Sequence, residues 1–145
     1  MATGYTYTPL NASKQQIRVL CFDPSKPPRP DGLLECSLEH ISLRGLQRPI
    51  YYAISYVWGN ASAREELIIG GTRVNVPASS AAASLEIHRR LTYHQAERQR
   101  RSYPIVRLWL DAVCINQSDE HERSQQVAMM HQVYSKAYEV LIWLG

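Results

Sequence analysis

Residues 108–123 read LWLDAVCINQSDEHER, and this stretch says more about the fold than any other in the chain. Apolar Leu108, Trp109 and Leu110 run into Asp111, then into Cys114 and the pair Asn116-Gln117, and an acid-rich helix start follows at Asp119. That is the pattern of a buried strand delivering polar groups to its own end. In open α/β sheets the crevice beyond the strand ends is where side chains and helix N-termini converge, so ligands bind there. A site at this strand end is the leading expectation.

Downstream, Asp119 with Glu122 three residues later makes a capping-box-like start, and Val127, Met130, Val133, Tyr134 and Ala137 recur at spacings of three and four. An amphipathic helix of about five turns is expected, followed by EVLIWLG (139–145) as one more short apolar strand. Upstream, YYAISYVWG (51–59) carries no charge and is closed by Gly59, as expected of a strand covered on both faces. Gly70-Gly71 between the β-type runs 66–69 and 72–76 signals a tight hairpin, because both central positions can take positive φ. Beyond Pro77, Ser79 or Ser80 can cap a helix running through Ala81, Leu85, Ile87 and Leu91, fading in the polar stretch 94–102. Ile105 to Asp111 is then the next strand. The order strand, helix, strand, helix, strand from residue 51 onward indicates parallel pairing with right-handed crossovers.

At the start, IRVLCF (17–22) is an apolar, β-branched run stopped by Asp23-Pro24, and Leu34 to Leu43 alternates with the period of two of a half-buried strand. These two are expected to pair. Residues 1–16 lack periodicity and are expected as a flexible N-terminal arm, with 17–145 forming a single domain. The expected fold is therefore α/β and three-layered. A mostly parallel sheet carries helices on its faces, with an N-terminal strand pair and a β-hairpin insertion.

The 145 residues are 45% hydrophobic and 20% charged, the balance of an ordinary globular chain, and one core suffices at this length. A net charge of +3 is too small for the electrostatic footprint of a nucleic-acid or membrane partner. The basic run from His88 to Arg101 is a local exception. It reads either as a solvated helix end or as a contact for a phosphate or acidic partner. Three cysteines, Cys21, Cys36 and Cys114, cannot all pair, which fits a reducing, cytoplasmic setting. No signal peptide and no apolar run of the ~20 residues needed for a membrane helix is visible.

Taken together, Ile17 to Leu20, Tyr52 to Gly59 (YAISYVWG) and Leu108 to Gln117 (LWLDAVCINQ) resemble the fungal HET (heterokaryon incompatibility) domain. Glu122-Arg123, Gln126-Val127, Met130, Tyr134, Ala137 and Trp143-Leu144-Gly145 continue the pattern. The resemblance covers residues 17–145 and implies an effector or signalling module of fungal non-self recognition, in which incompatible fusion triggers programmed cell death. It implies a protein partner or self-association. HET domains are in turn distantly similar to TIR domains, which are flavodoxin-like and of which some cleave NAD. That second likeness implies a nucleotide pocket at the strand ends, with NAD as its occupant, and maps the first three TIR strands onto YAISYVWG, LWLDAVCINQ and EVLIWLG. The TIR glutamate would follow the third strand, where this chain stops at Gly145, so Glu122 or another acid would have to serve.

Asp111 and Glu122 are the candidate catalytic acids. Burial of an isolated carboxylate at a strand end is costly, so Asp111 is expected either to accept loop amides or an Arg such as Arg123, or to contact a ligand. Glu122 is already explained by capping and the helix dipole, whereas Arg123 is less favoured in a first turn and calls for a partner. Ser55, Trp58, Asn116, Gln117 and Arg123 are the candidate ligand-binding residues. Trp58 would offer a stacking face, and Asn116-Gln117 paired donors and acceptors, although both amides are also routine turn-makers and Tyr56 and Val57 read as core. Cys114 with His121 suggests a thiol–imidazole pair, but its apolar neighbours favour a buried inert thiol. No CxxC or HxxxH pair suggests a metal site. Ending on the apolar WLG leaves a strand uncovered, so a C-terminally incomplete domain lacking a helix, or a partner surface, is expected.

Overall fold

The computed structural model describes residues 2–56, 62–98 and 105–144, with the side chains of 93–98 excepted. Trp58 and Gly59, and the stretch 99–104 where helix was expected to fade, lie outside the described residues. Seven strands and three α-helices appear in the order β1 (Gln16–Phe22), β2 (Glu35–Ser42), β3 (Tyr52–Tyr56), β4 (Arg64–Ile69), β5 (Thr72–Pro77), α1 (Ala78–Arg98), β6 (Val106–Trp109), α2 (Asp111–Cys114), α3 (Glu120–Lys136) and β7 (Glu139–Trp143). All seven strands join one sheet in the order β5-β4-β2-β1-β6-β3-β7.

The α/β class is as expected, but the sheet is mixed rather than mostly parallel. β2–β4, β3–β6 and β3–β7 pair parallel, while β1–β2, β1–β6 and β4–β5 pair antiparallel. The reason is that the N-terminal strand pair and the hairpin are not appendages. β1, apolar at Ile17, Val19, Leu20 and Phe22 and almost wholly buried, sits in the middle of the sheet between β2 and β6. Only the block β6-β3-β7 carries the parallel grammar read from residue 51 onward.

Local chemistry accounts for the elements that frame this block. Gly70 and Gly71 adopt φ of 60° and 81°, the left-handed conformation that the β4–β5 turn requires. α1 begins at Ala78, one residue ahead of the expected serine caps. α3 is capped as anticipated, with Asp119 Oδ1 accepting from the Glu122 amide at 3.1 Å. It docks on the sheet through Val133, through the Tyr51 hydroxyl donating to the Val133 carbonyl, and through an edge-to-face contact of Tyr134 on fully buried Trp109 with ring centroids 5.6 Å apart. Val127, counted on the apolar stripe, is instead exposed.

Residues 2–8, expected as a loose arm, lie against the body of the domain. Thr3 and Asn75 exchange backbone hydrogen bonds of 2.8 and 2.9 Å, which adds a bridge to the outer edge of β5. Tyr7 donates its hydroxyl to the Val113 carbonyl at 2.6 Å. β3 is not covered on both faces along its whole length: Tyr51, Ala53 and Ile54 are buried around it, but Ser55 is exposed.

Candidate functional site

Asp111 is not the last residue of its strand. β6 ends at Trp109, Leu110 remains extended, and Asp111 opens the one-turn helix α2. A single turn is too short to leave a periodic signature, so no helix was expected there. The carboxylate nonetheless emerges at the C-terminal lip of the parallel strands β3 and β6. Tyr56, the last residue of β3, donates its hydroxyl to Asp111 Oδ1 at 3.1 Å, and Ser80 in the first turn of α1 donates to the same tyrosine oxygen at 2.9 Å. Burial first, and then the negative charge of Asp111, hold the Tyr56 phenol well above its ordinary range. The same two causes raise Tyr134, so Asp111 acts on a tyrosine from each of two elements. Both phenols are therefore neutral donors near pH 7. The partner expected for Asp111, Arg123, does not reach it.

The loop after α2 is wrapped around its own backbone. Gln117 Nε2 donates to the Asp111 carbonyl at 3.0 Å, Asn116 Oδ1 accepts from the Ser118 amide at 3.3 Å, and exposed Arg123 donates to the Gln117 carbonyl at 3.4 Å. Asn116 and Gln117 thus do what turn-making amides do. Ser55 stands on the opposite face of β3 from Tyr56, since successive strand residues alternate, and it is not brought into the Tyr56–Asp111 cluster. Of the seven site residues anticipated, the structure gathers Asp111, Gln117 and Arg123 around one loop. Glu122 is set to a different task, and Trp58 lies outside the described residues.

Glu122 is not explained by capping alone. Its side chain turns inward and takes two hydrogen bonds from Arg18 of β1, Nη2 to Oε1 at 2.6 Å and Nη1 to Oε2 at 2.9 Å, and a third from the Asn116 amide at 2.6 Å. Arg18 also donates to the carbonyls of Thr8 and Cys114, and its guanidinium lies 4.6 Å from the Tyr7 ring centroid. A carboxylate engaged three times over has no lone pair aimed at solvent for proton transfer. Arg18 was hidden inside an apolar strand, and the available signal was that a lone charge in such a strand needs a buried partner.

Cys114 is fully buried, its thiol lies against the Leu108 carbonyl and the Leu110 amide, and burial pushes it up to about 12. It is the inert thiol expected, not a nucleophile. Among the described residues no group of three His, Cys, Asp or Glu side chains could hold a metal ion. A groove of about 320 Å³ runs between α1 and the β3–β7 edge, walled by Tyr52, Ile54, Ile87, Leu91, Leu141 and Trp143.

The parallel β6-β3-β7 block with its strand-end lip belongs to a known class of domain. The family model described as heterokaryon incompatibility protein (HET) matches residues 51–145, and the chain belongs to that family. It is also 38% identical over 104 residues to heterokaryon incompatibility protein 6, OR allele, of Neurospora crassa, an alignment covering 67% of this chain. The chain spans 14% of that protein's length. No solved structure matches.

Proposed function

We propose that this chain is an effector or signalling module of fungal non-self recognition, which triggers programmed cell death by engaging a protein surface. The observation that carries this reading is the state of β7. It is the terminal strand of the sheet and leaves Val140, Ile142 and Leu144 exposed to 41%, 73% and 83%. A row of large apolar side chains on an unpaired edge suits a protein partner. The finer layering, flavodoxin- and TIR-like, is supported by the order β6-β3-β7, in which the first parallel strand is central and its successors flank it, as in a doubly wound sheet.

The nucleotide-hydrolase alternative is the weaker one. Glu122 is committed to Arg18, and among the described residues Asp111 has phenol partners rather than a nucleophile and base. Expression in a fungal host tests the proposal. Growth arrest by the wild-type chain, lost in Ile142→Lys while circular dichroism shows that variant folded, supports it. Equal arrest by the folded variant overturns it. Release of nicotinamide from NAD by the purified chain, abolished by Asp111→Ala, would restore the enzymatic alternative.

A further inference from the structure

The two edges of the sheet are treated differently. β5 carries exposed Thr72, Arg73 and Asn75, and Thr3 of the N-terminal arm bridges it through two backbone hydrogen bonds. Polar side chains and a covering segment are standard protections of an edge against pairing with another chain. β7 has neither among the described residues. Its five residues hold one charge, Glu139, at the first position, and the rest are Val140, Leu141, Ile142 and Trp143. Such an edge is suited to pairing through its backbone.

We propose that β7 pairs antiparallel with β7 of a second copy of this chain, about a two-fold axis through Leu141. This deepens the proposed function by naming the partner, and it rests on that reading. A two-fold interface must be self-complementary, with the central residue facing itself. Centring on Leu141 alone uses all five strand residues: Val140 faces Ile142 of the second copy, and Glu139 faces its Trp143. The two glutamates then stand four residues apart, roughly 13 Å at the rise of a strand, beyond the ~8 Å screening length of physiological salt. Parallel in-register pairing would instead set Glu139 beside Glu139. The self-complementary apolar centre and the separation of its single charge favour a second copy over a charged peptide. The result is one sheet continuous through both copies, with the exposed Val140–Ile142 rows meeting across the axis.

Leu141→Cys tests the register. Residues directly opposite in an antiparallel pair have Cα atoms about 4.5–5.5 Å apart, inside the range a disulfide spans. Under mild oxidation Leu141→Cys is expected to form a covalent dimer on a non-reducing gel and Glu139→Cys is not. The native thiols are all buried and give little background. The untagged wild-type chain is expected to sediment at twice its 16.6 kDa mass, and Ile142→Lys at the single mass. Wild-type protein that sediments as a monomer at every concentration, or cross-linking of Glu139→Cys as readily as Leu141→Cys, overturns the pairing. If the wild type is monomeric yet still arrests growth in a manner sensitive to Ile142→Lys, the self-pairing fails while the module reading stands.

Discussion

The guanidinium of Arg18 and the carboxylate of Glu122 are joined by two hydrogen bonds of 2.6 and 2.9 Å across a sequence separation of 104 residues, with their side chains exposed to only 1% and 10%. This pair ties the central strand β1 to the first turn of α3. Through Thr8, Tyr7, Cys114 and Asn116 it also ties in the N-terminal arm and the loop after α2. Removing one partner leaves the other charge buried and unpaired, which typically costs ~3–5 kcal/mol. Glu122→Leu and Arg18→Met are each expected to lower urea stability by about that amount. The double variant Arg18→Met/Glu122→Leu is expected to lose clearly less than the sum, because no buried charge remains. Strict additivity in a double-mutant cycle would show that the pair is not coupled.

The hydroxyl of Tyr7 is a smaller clasp on the same region. It donates to the carbonyl of Val113 inside α2, 106 residues away. Tyr7→Phe leaves that acceptor without its partner and is expected to cost ~1 kcal/mol. Faster hydrogen exchange should then be confined to the arm and residues 111–115. Exchange unchanged there, with the same loss of stability, would mean that the arm does not brace α2.

At the strand-end lip, Tyr56 and Asp111 should behave as a coupled unit. Tyr56→Phe removes a donor to the carboxylate and an acceptor from Ser80, and Asp111→Asn replaces the charge that the phenol faces. Each is expected to cost ~1–2 kcal/mol, with the double variant less destabilised than the sum by about 1 kcal/mol. In the fungal growth assay a folded Asp111→Asn that retains full arrest would show that the lip is structural and that signalling runs through β7.

What the sequence revealed divides by range. The Gly70-Gly71 hairpin and the Asp119 cap were legible because each is decided within four residues, by positive φ in one case and a side-chain acceptor in the other. The strand-end position of Asp111 was legible too, since an apolar run ending in a carboxylate marks a lip. The mixed sheet was not, because nothing local tells β1 to lie between β2 and β6. Glu122 illustrates the same limit: its capping position is a local fact, while its buried partner lies on a strand more than a hundred residues earlier. Tyr56 was assigned to the core by its apolar neighbours, and only the approach of β6 and α1 gives its hydroxyl something to hold.

High pH should loosen this domain. Burial pushes the thiols of Cys36 and Cys114 from the ordinary value near 9 up to about 12, and the phenol of Tyr51 from near 10 up to about 12. In each case the unfolded chain gives up its proton at a lower pH than the folded one. Between the two values the folded state therefore binds more protons, and stability falls as pH rises. Their contribution is intact below about pH 9 and is lost progressively from there to about pH 12. Urea midpoints are expected to hold level from pH 7 to near 9 and then decline, and Cys114→Ala should soften the alkaline slope while lowering stability at pH 7 through the cavity it leaves. A native thiol that reacts with iodoacetamide at pH 8 as fast as a free cysteine would contradict the burial on which this profile depends.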